Sequence, residues 1–379
     1  MGRCARSSLT VLLLCLAGLV SSCVSRPAAH GPAINPDAAR AQIAALLPEK
    51  LPNRDGWAVD IFAAFEALGI QPTVENSCAV IAVAEQESTL QADPQVPGLP
   101  AIARREIESR AESHHIPMLM VNAALALESP NGKSYSKRLD EVRTEKDLSD
   151  LFQDFIGMVP LGNRLFGALN PVRTGGPMQV SIAFAEQQAQ GKRYPYPQPG
   201  SIRDEVFTRR GGVYFGTAHL LDYPASYDDM LYRFADYNAG HYASRNAAFQ
   251  NALAIASKTP LVLDGDLVHQ GSDTNQPSNT ERAARKLAGR IGLSESQIRS
   301  DLERGTEQDF DRTKLYARVF EIADAAGAGR AVPRAMVPRI TLASPKITRK
   351  LTTEWFARRV HSRYQSCLSR GAQKLSHRS

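Results

Sequence analysis

The chain is predicted to be mainly α-helical, and three observations carry that prediction. Apolar residues recur three and four apart through residues 41–47, 57–68 and 74–87, the pattern of helices with a buried face. Few segments alternate at period two, so little of the chain reads as half-buried strand. Pro and Gly gather at residues 93–100 and 160–177, where they break the helical pattern.

The later elements follow in order. Helical spacing resumes at residues 101–110, 116–127 and 148–156, and again at 180–190. Residues 192–199 interleave Tyr194 and Tyr196 with prolines and read as extended; such a stretch lines carbohydrate clefts and equally forms plain surface loops. Residues 213–221, 228–238 and 243–256 complete a helical body, and residues 259–271 break it. From Pro277 a second helical segment begins, with Thr280 as its expected N-cap and Glu281 in the first turn. Ser294 and Gln297 have the spacing of a capping box at the next helix. The basic stretch 346–370 reads as a solvated helix face. No internal repeat is present.

The N-terminus has the parts of an export signal. Arg3 and Arg6 precede an apolar run over residues 9–20, which at about 12 residues is too short to span a bilayer. Val20-Ser21-Ser22-Cys23 follows, and small residues ending on a cysteine resemble the lipobox of bacterial lipoproteins. The resemblance implies a signal peptide over residues 1–22 and a lipid on Cys23. With Val24 after the cysteine instead of Asp, it also implies an outer-membrane address facing the periplasm. Residues 23–36 carry Pro, Ala and Gly without periodicity and read as a tether. Of the five cysteines, Cys4 and Cys15 leave with the signal and Cys23 carries lipid. Cys78 and Cys367 remain, either as a disulfide in an oxidising compartment or as two buried thiols. The net charge of +6 is mild and scattered, so nucleic acid is not an expected partner.

The candidate chemistry begins in Val80-Ile-Ala-Val-Ala-Glu-Gln-Glu-Ser88. Glu85 and Glu87, two apart on a helix, point to different sides and cannot act as a pair. Glu87 ends the apolar stripe of Val80, Val83 and Ala84, whereas Glu85 is expected on the outer face. At an inward-facing helix C-terminus, burial and the negative end of the dipole both favour the protonated form that a general acid needs.

Two later stretches join it: Gly175-Gly-Pro-Met-Gln179 and Phe234-Ala-Asp-Tyr-Asn-Ala-Gly240, the second preceded by Tyr214-Phe-Gly-Thr-Ala-His-Leu-Leu221. Glu-Ser, Gly-x-Met-Gln and Tyr-Asn-Ala-Gly in this order resemble the soluble lytic transglycosylases and goose-type lysozymes of the lysozyme-like superfamily, over about residues 60 to 256. The resemblance implies a lysozyme-like domain over residues 37–258, interrupted by an insertion over about 100–170, and a helical C-terminal region over 259–379. It implies cleavage of peptidoglycan glycan strands without a cofactor. Glu87 matches the catalytic acid, with Ser88 beside it as a substrate contact. Met178 and Gln179 match cleft-lining residues, and Tyr237 and Asn238 match the contacts to acid and sugar. One Glu suffices when the sugar's acetamido oxygen acts as nucleophile; Glu87 then serves as acid and afterwards as base, giving a 1,6-anhydro end, or a reducing end if water attacks.

The sequence departs from the family at Pro177 (usually Leu), Asp236 (Ala) and His241 (Pro). Asp236 is expected to cap or pair locally rather than to act as a second carboxylate. These departures and the insertion leave open a non-catalytic protein that binds peptidoglycan in the same fold. Elsewhere, His114 and His115 are adjacent and point apart, so no metal site is expected. His219 reads as a satisfied core histidine. Asp264-Gly-Asp266 lacks the distal Glu of a calcium loop, and Gly211-Gly212 lacks the Lys of a phosphate loop.

Overall fold

The computed structural model describes residues 35–376, except 159, 162, 163, 165, 166, 193, 198, 199, 270–275, 328, 329 and 343–350. Cys23, the signal and nearly all of the tether therefore lie outside the described residues. The described protein is mainly α-helical, as its periodicity predicts. The first three runs form α1 (Pro36–Leu46), α2 (Arg54–Leu68) and α3 (Val74–Ser88). Thr73 caps α3, its hydroxyl accepting from the Asn76 N–H at 3.1 Å. Every side chain of α3 from Ser77 to Ala84 is buried, so this helix has no solvent face along those turns and takes neighbours all round.

Residues 99–157 form α4 (Leu99–Ser113), α5 (Met118–Leu125), α6 (Tyr135–Glu141) and α7 (Glu145–Gly157). They gather a small core of their own around Tyr135, Leu139 and Leu151. Helix α6 was not foreseen from periodicity: seven residues show barely two turns, and its start is set by Ser134, whose hydroxyl accepts from Lys137 N. Helix α5 buries no residue, and Leu119 is 81% exposed.

A two-residue hairpin, β1 (Thr174–Gly175) with β2 (Val180–Ser181), leads into α8 (Ile182–Gly191), α9 (Ile202–Val206) and α10 (Arg209–Leu221). Helices α11 (Met230–Ala239) and α12 (Ala243–Ser257) follow, then α13 (Asn279–Arg285), α14 (Ala288–Ile291), α15 (Glu295–Glu303) and α16 (Lys314–Ala326). The N-cap of α13 is Ser278, not the expected Thr280, because Ser278 Oγ accepts from Glu281 N at 2.9 Å. Ser294 and Gln297 do form the capping box of α15. A second hairpin, β3 (Thr341–Leu342) with β4 (Leu351–Thr352), precedes α17 (Thr353–Ser376).

The packing does not follow a boundary at residue 258. Helix α12 joins α13–α16 in one core around Phe249, Phe310 and Phe320. Helix α17, expected to belong to a C-terminal region beyond residue 258, returns to the main core, while Arg358 and Arg359 keep the solvated basic face expected of this stretch. Thr353, Phe356, Ala357, Val360, Tyr364 and Cys367 form its buried stripe at spacings of three and four. That stripe packs on α3 and α11. Arg363, on the other flank, donates to Glu85 at 2.9 Å and to Gln86 at 3.0 Å. Glu85 is thus half-buried under α17 rather than on an open outer face.

Cys78 and Cys367 form a disulfide with Cα atoms 5.5 Å apart, joining α3 to α17 across 289 residues of sequence. The separation lies in the usual range, and so long a closed loop strongly restricts the unfolded chain. Replacing both cysteines by Ala should cost about 3–5 kcal/mol. Urea unfolding with and without reductant checks this, and coincident curves would show that the bond contributes nothing.

Candidate active-site groove

Helix α3 ends in two left-handed residues, Thr89 (φ 53°) and Leu90 (φ 59°). Their N–H groups turn back to the carbonyls of Glu85 and Ala84, each at 3.2 Å. This sharp exit leaves Glu87 half-buried in the last turn, facing a groove. Ser88, expected as a substrate contact, is buried instead: its hydroxyl donates to Ala84 O at 2.9 Å and accepts from Gln91 N at 3.1 Å. Ser88 shapes the exit from below.

The β1–β2 loop supplies the opposite wall. Gly176 (φ 72°) can only be glycine, since a Cβ there would stand 2.0 Å from Val206 O. Pro177 and Met178 seat on Gly212 and Gly216 of α10; a Cβ at 216 would lie 2.5 Å from Met178 Sδ. The Pro177 departure is therefore a packing feature under the groove. Met178, expected to line the cleft, is fully buried beneath it, and its carbonyl accepts from Tyr237 Oη at 2.7 Å. Gln179 follows with φ 49°, a left-handed conformation unusual for a non-glycine residue. Its side chain is held twice: Thr174 Oγ1 donates to Oε1 at 3.2 Å, and Nε2 donates to Gly176 O at 3.3 Å.

Helix α11 brings the third set. Asp236 is fully buried and accepts from Ser244 N at 2.7 Å, from Tyr223 Oη at 3.0 Å and from Tyr227 Oη. Burial pushes its carboxyl up, against the lowering effect of these donors. It organises the α11–α12 junction, in keeping with the local capping role expected of it. Tyr237 is buried, and burial together with the nearby Glu87 charge pushes its phenol well above the usual range. It is a neutral donor that ties α11 to the hairpin loop. Asn238 is exposed, and its Oδ1 accepts from Thr353 Oγ1 at the start of α17, at 2.9 Å.

Glu87, Gln179, Tyr237 and Asn238 thus line one groove of about 740 Å³. The loop after α3 adds Pro94, Gln95 and Val96 to its wall, and the start of α7 adds Glu145, which sequence spacing alone did not reveal.

His219 also lines the groove and corrects the expectation of a satisfied core histidine. Its Nε2 donates to Tyr237 O at 3.2 Å, which leaves Nδ1 as an acceptor. That atom is buried without a hydrogen-bond partner among the described residues. Burial, reinforced by His241, pushes the imidazole down to about 4. His241, a departure from the resembled motif, donates through Nε2 to His219 O at 2.7 Å and stacks on its ring.

Other candidates fall elsewhere. Tyr194 donates to Glu205 at 2.7 Å and Tyr196 to Asp60 at 3.4 Å, so both pack inward, away from the groove. Asp264 accepts from Gln250 at 2.8 Å and fixes a turn. His114 and His115 are exposed. Among the described residues no three His, Cys, Asp or Glu side chains gather as metal ligands, and no helix is long and apolar enough to cross a membrane.

These features stand in a mainly helical protein whose residues 50–370 match the family described as "Protein of unknown function (DUF1615)"; the chain belongs to that family. It is 58% identical over 322 residues to "Uncharacterized protein YaiW" of Escherichia coli (strain K12), covering 85% of this chain and 87% of that one. No solved structure matches the chain.

Two outcomes follow from the geometry. Because His219 titrates near 4 when folded and about 6.5 when unfolded, the unfolded chain binds the extra proton between those values. Its contribution, up to about 3 kcal/mol, is present above about pH 6.5 and lost as pH falls toward 4. Urea unfolding of wild type and His219→Asn at pH 7 and 4.5 should show the larger acid loss in wild type; equal losses would refute the assignment. Gly216→Ala should destabilise by about 1–3 kcal/mol through overpacking against Met178, read as a lowered thermal midpoint.

Proposed function

We propose that the groove binds and cleaves the glycan strands of peptidoglycan, with Glu87 as the single acid and base of a lysozyme-like, lytic transglycosylase-type reaction. The observation that supports this most is convergence: Glu87, Gln179, Tyr237 and Asn238 come from three separate stretches and line one groove. In this reading Glu87 protonates the leaving glycosidic oxygen while the substrate's acetamido oxygen closes on the anomeric carbon. Glu87 then takes the proton of the attacking hydroxyl. The amides of Gln179 and Asn238 orient the sugar, and Tyr237, through Met178 O, keeps the hairpin loop in register.

The same proposal places the enzyme at the wall. A lipid on Cys23 would hold it to the outer membrane facing the periplasm. Residues 24–35 could span at most about 40 Å when extended. A second reading, binding without turnover, is favoured by one contact: Asn238 Oδ1 is already engaged by Thr353.

Digestion of purified sacculi by protein lacking residues 1–23 separates the readings. Wild type should release anhydromuropeptides, or reducing-end muropeptides if water attacks, and Glu87→Gln should lower the rate at least about 100-fold. Sedimentation with sacculi and no soluble product from wild type would sink the enzyme and leave the binding protein.

A further inference from the structure

The groove has a neighbour. A second cavity of about 240 Å³ shares His219, Ala239 and Gly240 with it. Gly240 adopts φ 103° and ψ 150°, a conformation essentially restricted to glycine. A Cβ added there would meet nothing within 4 Å, so the floor between the two cavities is bare backbone with open space above it.

The far wall is built by segments outside the resembled domain: Gly265–Val268 and Leu302–Thr306. It is preformed. The buried Arg245 donates to Gly305 O at 2.8 Å, to Glu307 O at 2.9 Å and to Gln308 O at 3.1 Å. Asn246 donates to Gly265 O at 3.2 Å and to Gly305 O at 2.9 Å, tying the two wall segments together. Hydrogen bonds from the guanidinium and the amide to these carbonyls hold the two wall segments in place.

Charge narrows the ligand. The first cavity presents Glu87 and Glu145, and the second Asp266 and Glu303. Among the described lining residues neither has a Lys or Arg side chain, in a chain of net charge +6. A strand carrying hydroxyl and amide donors would meet acceptors here. At the junction stands His219, with a buried Nδ1 acceptor lacking a partner among the described residues. An acceptor in that state calls for a donor.

We propose that the binding groove continues past Gly240 into this second cavity, so that one extended glycan strand lies across both and donates a hydrogen bond to His219 at the junction. This deepens the reading of the first cavity as a glycan site and rests on it. The C-terminal helices then supply distal subsites, so strand length becomes a determinant of affinity.

The test uses Glu87→Gln protein without residues 1–23, so that bound strands are not cut. Affinities for a peptidoglycan tetrasaccharide and for purified long glycan strands, expressed per chain end, are measured by calorimetry. The long strand should bind at least about 10-fold tighter, about 1.4 kcal/mol. Thr306→Trp or Val268→Trp, each placing a bulky ring in the second cavity, should abolish that advantage and leave tetrasaccharide binding unchanged. His219→Phe, which keeps a ring and removes the acceptor, should weaken binding of the long strand.

Equal affinity for the two lengths overturns the extended groove while sparing the first cavity, and needs neither tryptophan variant to establish. A length advantage that survives both tryptophans overturns the assignment to the second cavity, and one untouched by His219→Phe removes the junction contact. Failure to bind glycan of any length overturns the underlying reading itself.

Discussion

Helix α3 depends on having no polar face between Ser77 and Ala84. Small and apolar side chains there let α1, α10 and α17 close on it from different directions, and close packing of that kind leaves little freedom to shift. The disulfide from Cys78 to Cys367 adds a covalent tie to α17 in the same region. A carboxylate at the end of such a helix is placed by the core, not by its own loop. Glu87 therefore inherits its position from residues up to three turns earlier, and a mutation deep in α3 acts on the groove without touching it.

The opposite wall is placed by absence of side chains. Gly212 and Gly216 lie four apart on α10 and make a flat strip on which Pro177 and Met178 rest. With Met178 pinned and its carbonyl held by Tyr237, the loop must leave through a left-handed residue, and Gln179 occupies that position. Strain in a non-glycine residue persists where its surroundings over-determine it, and here a hairpin, a glycine strip and a buried phenol all do so. The polar amide gains a fixed direction at the cost of backbone comfort.

Much of this was legible in the sequence, and the limits have physical causes. Long helices with small buried residues, such as α2, α3 and α12, are legible as long Ala-rich apolar stretches bounded by helix breakers. The set Glu87, Gln179, Tyr237 and Asn238 could be assembled only because ordered motifs carried a resemblance; spacing alone relates none of them. Ser88 and Met178, expected at the groove surface, lie beneath it, since a motif records proximity and not which atoms face solvent. His219 was misjudged for a related reason. An apolar helical context predicts burial, but it cannot tell that Nε2 is consumed by a carbonyl while Nδ1 is left over. The role of α17 was hidden because its apolar stripe alternates with Arg358, Arg359, Arg363 and Arg370, and composition outweighed period.

The return of α17 also bears on what the C-terminal half is for. Had residues 259–379 formed a separate module, the groove would end with α11. Instead Thr353 contacts Asn238, Leu342 lines the groove, and the segments at 265–268 and 302–306 wall the adjoining cavity. The disulfide then stabilises more than the fold, because it holds α17, and with it Thr353, against the residues that face the groove. With the last helix locked to the helix that bears Glu87, the C-terminal half is coupled to the groove. Loosening that helix should disturb both sides of the groove, since α17 packs on α11, which carries Asn238, and on α3, which carries Glu87.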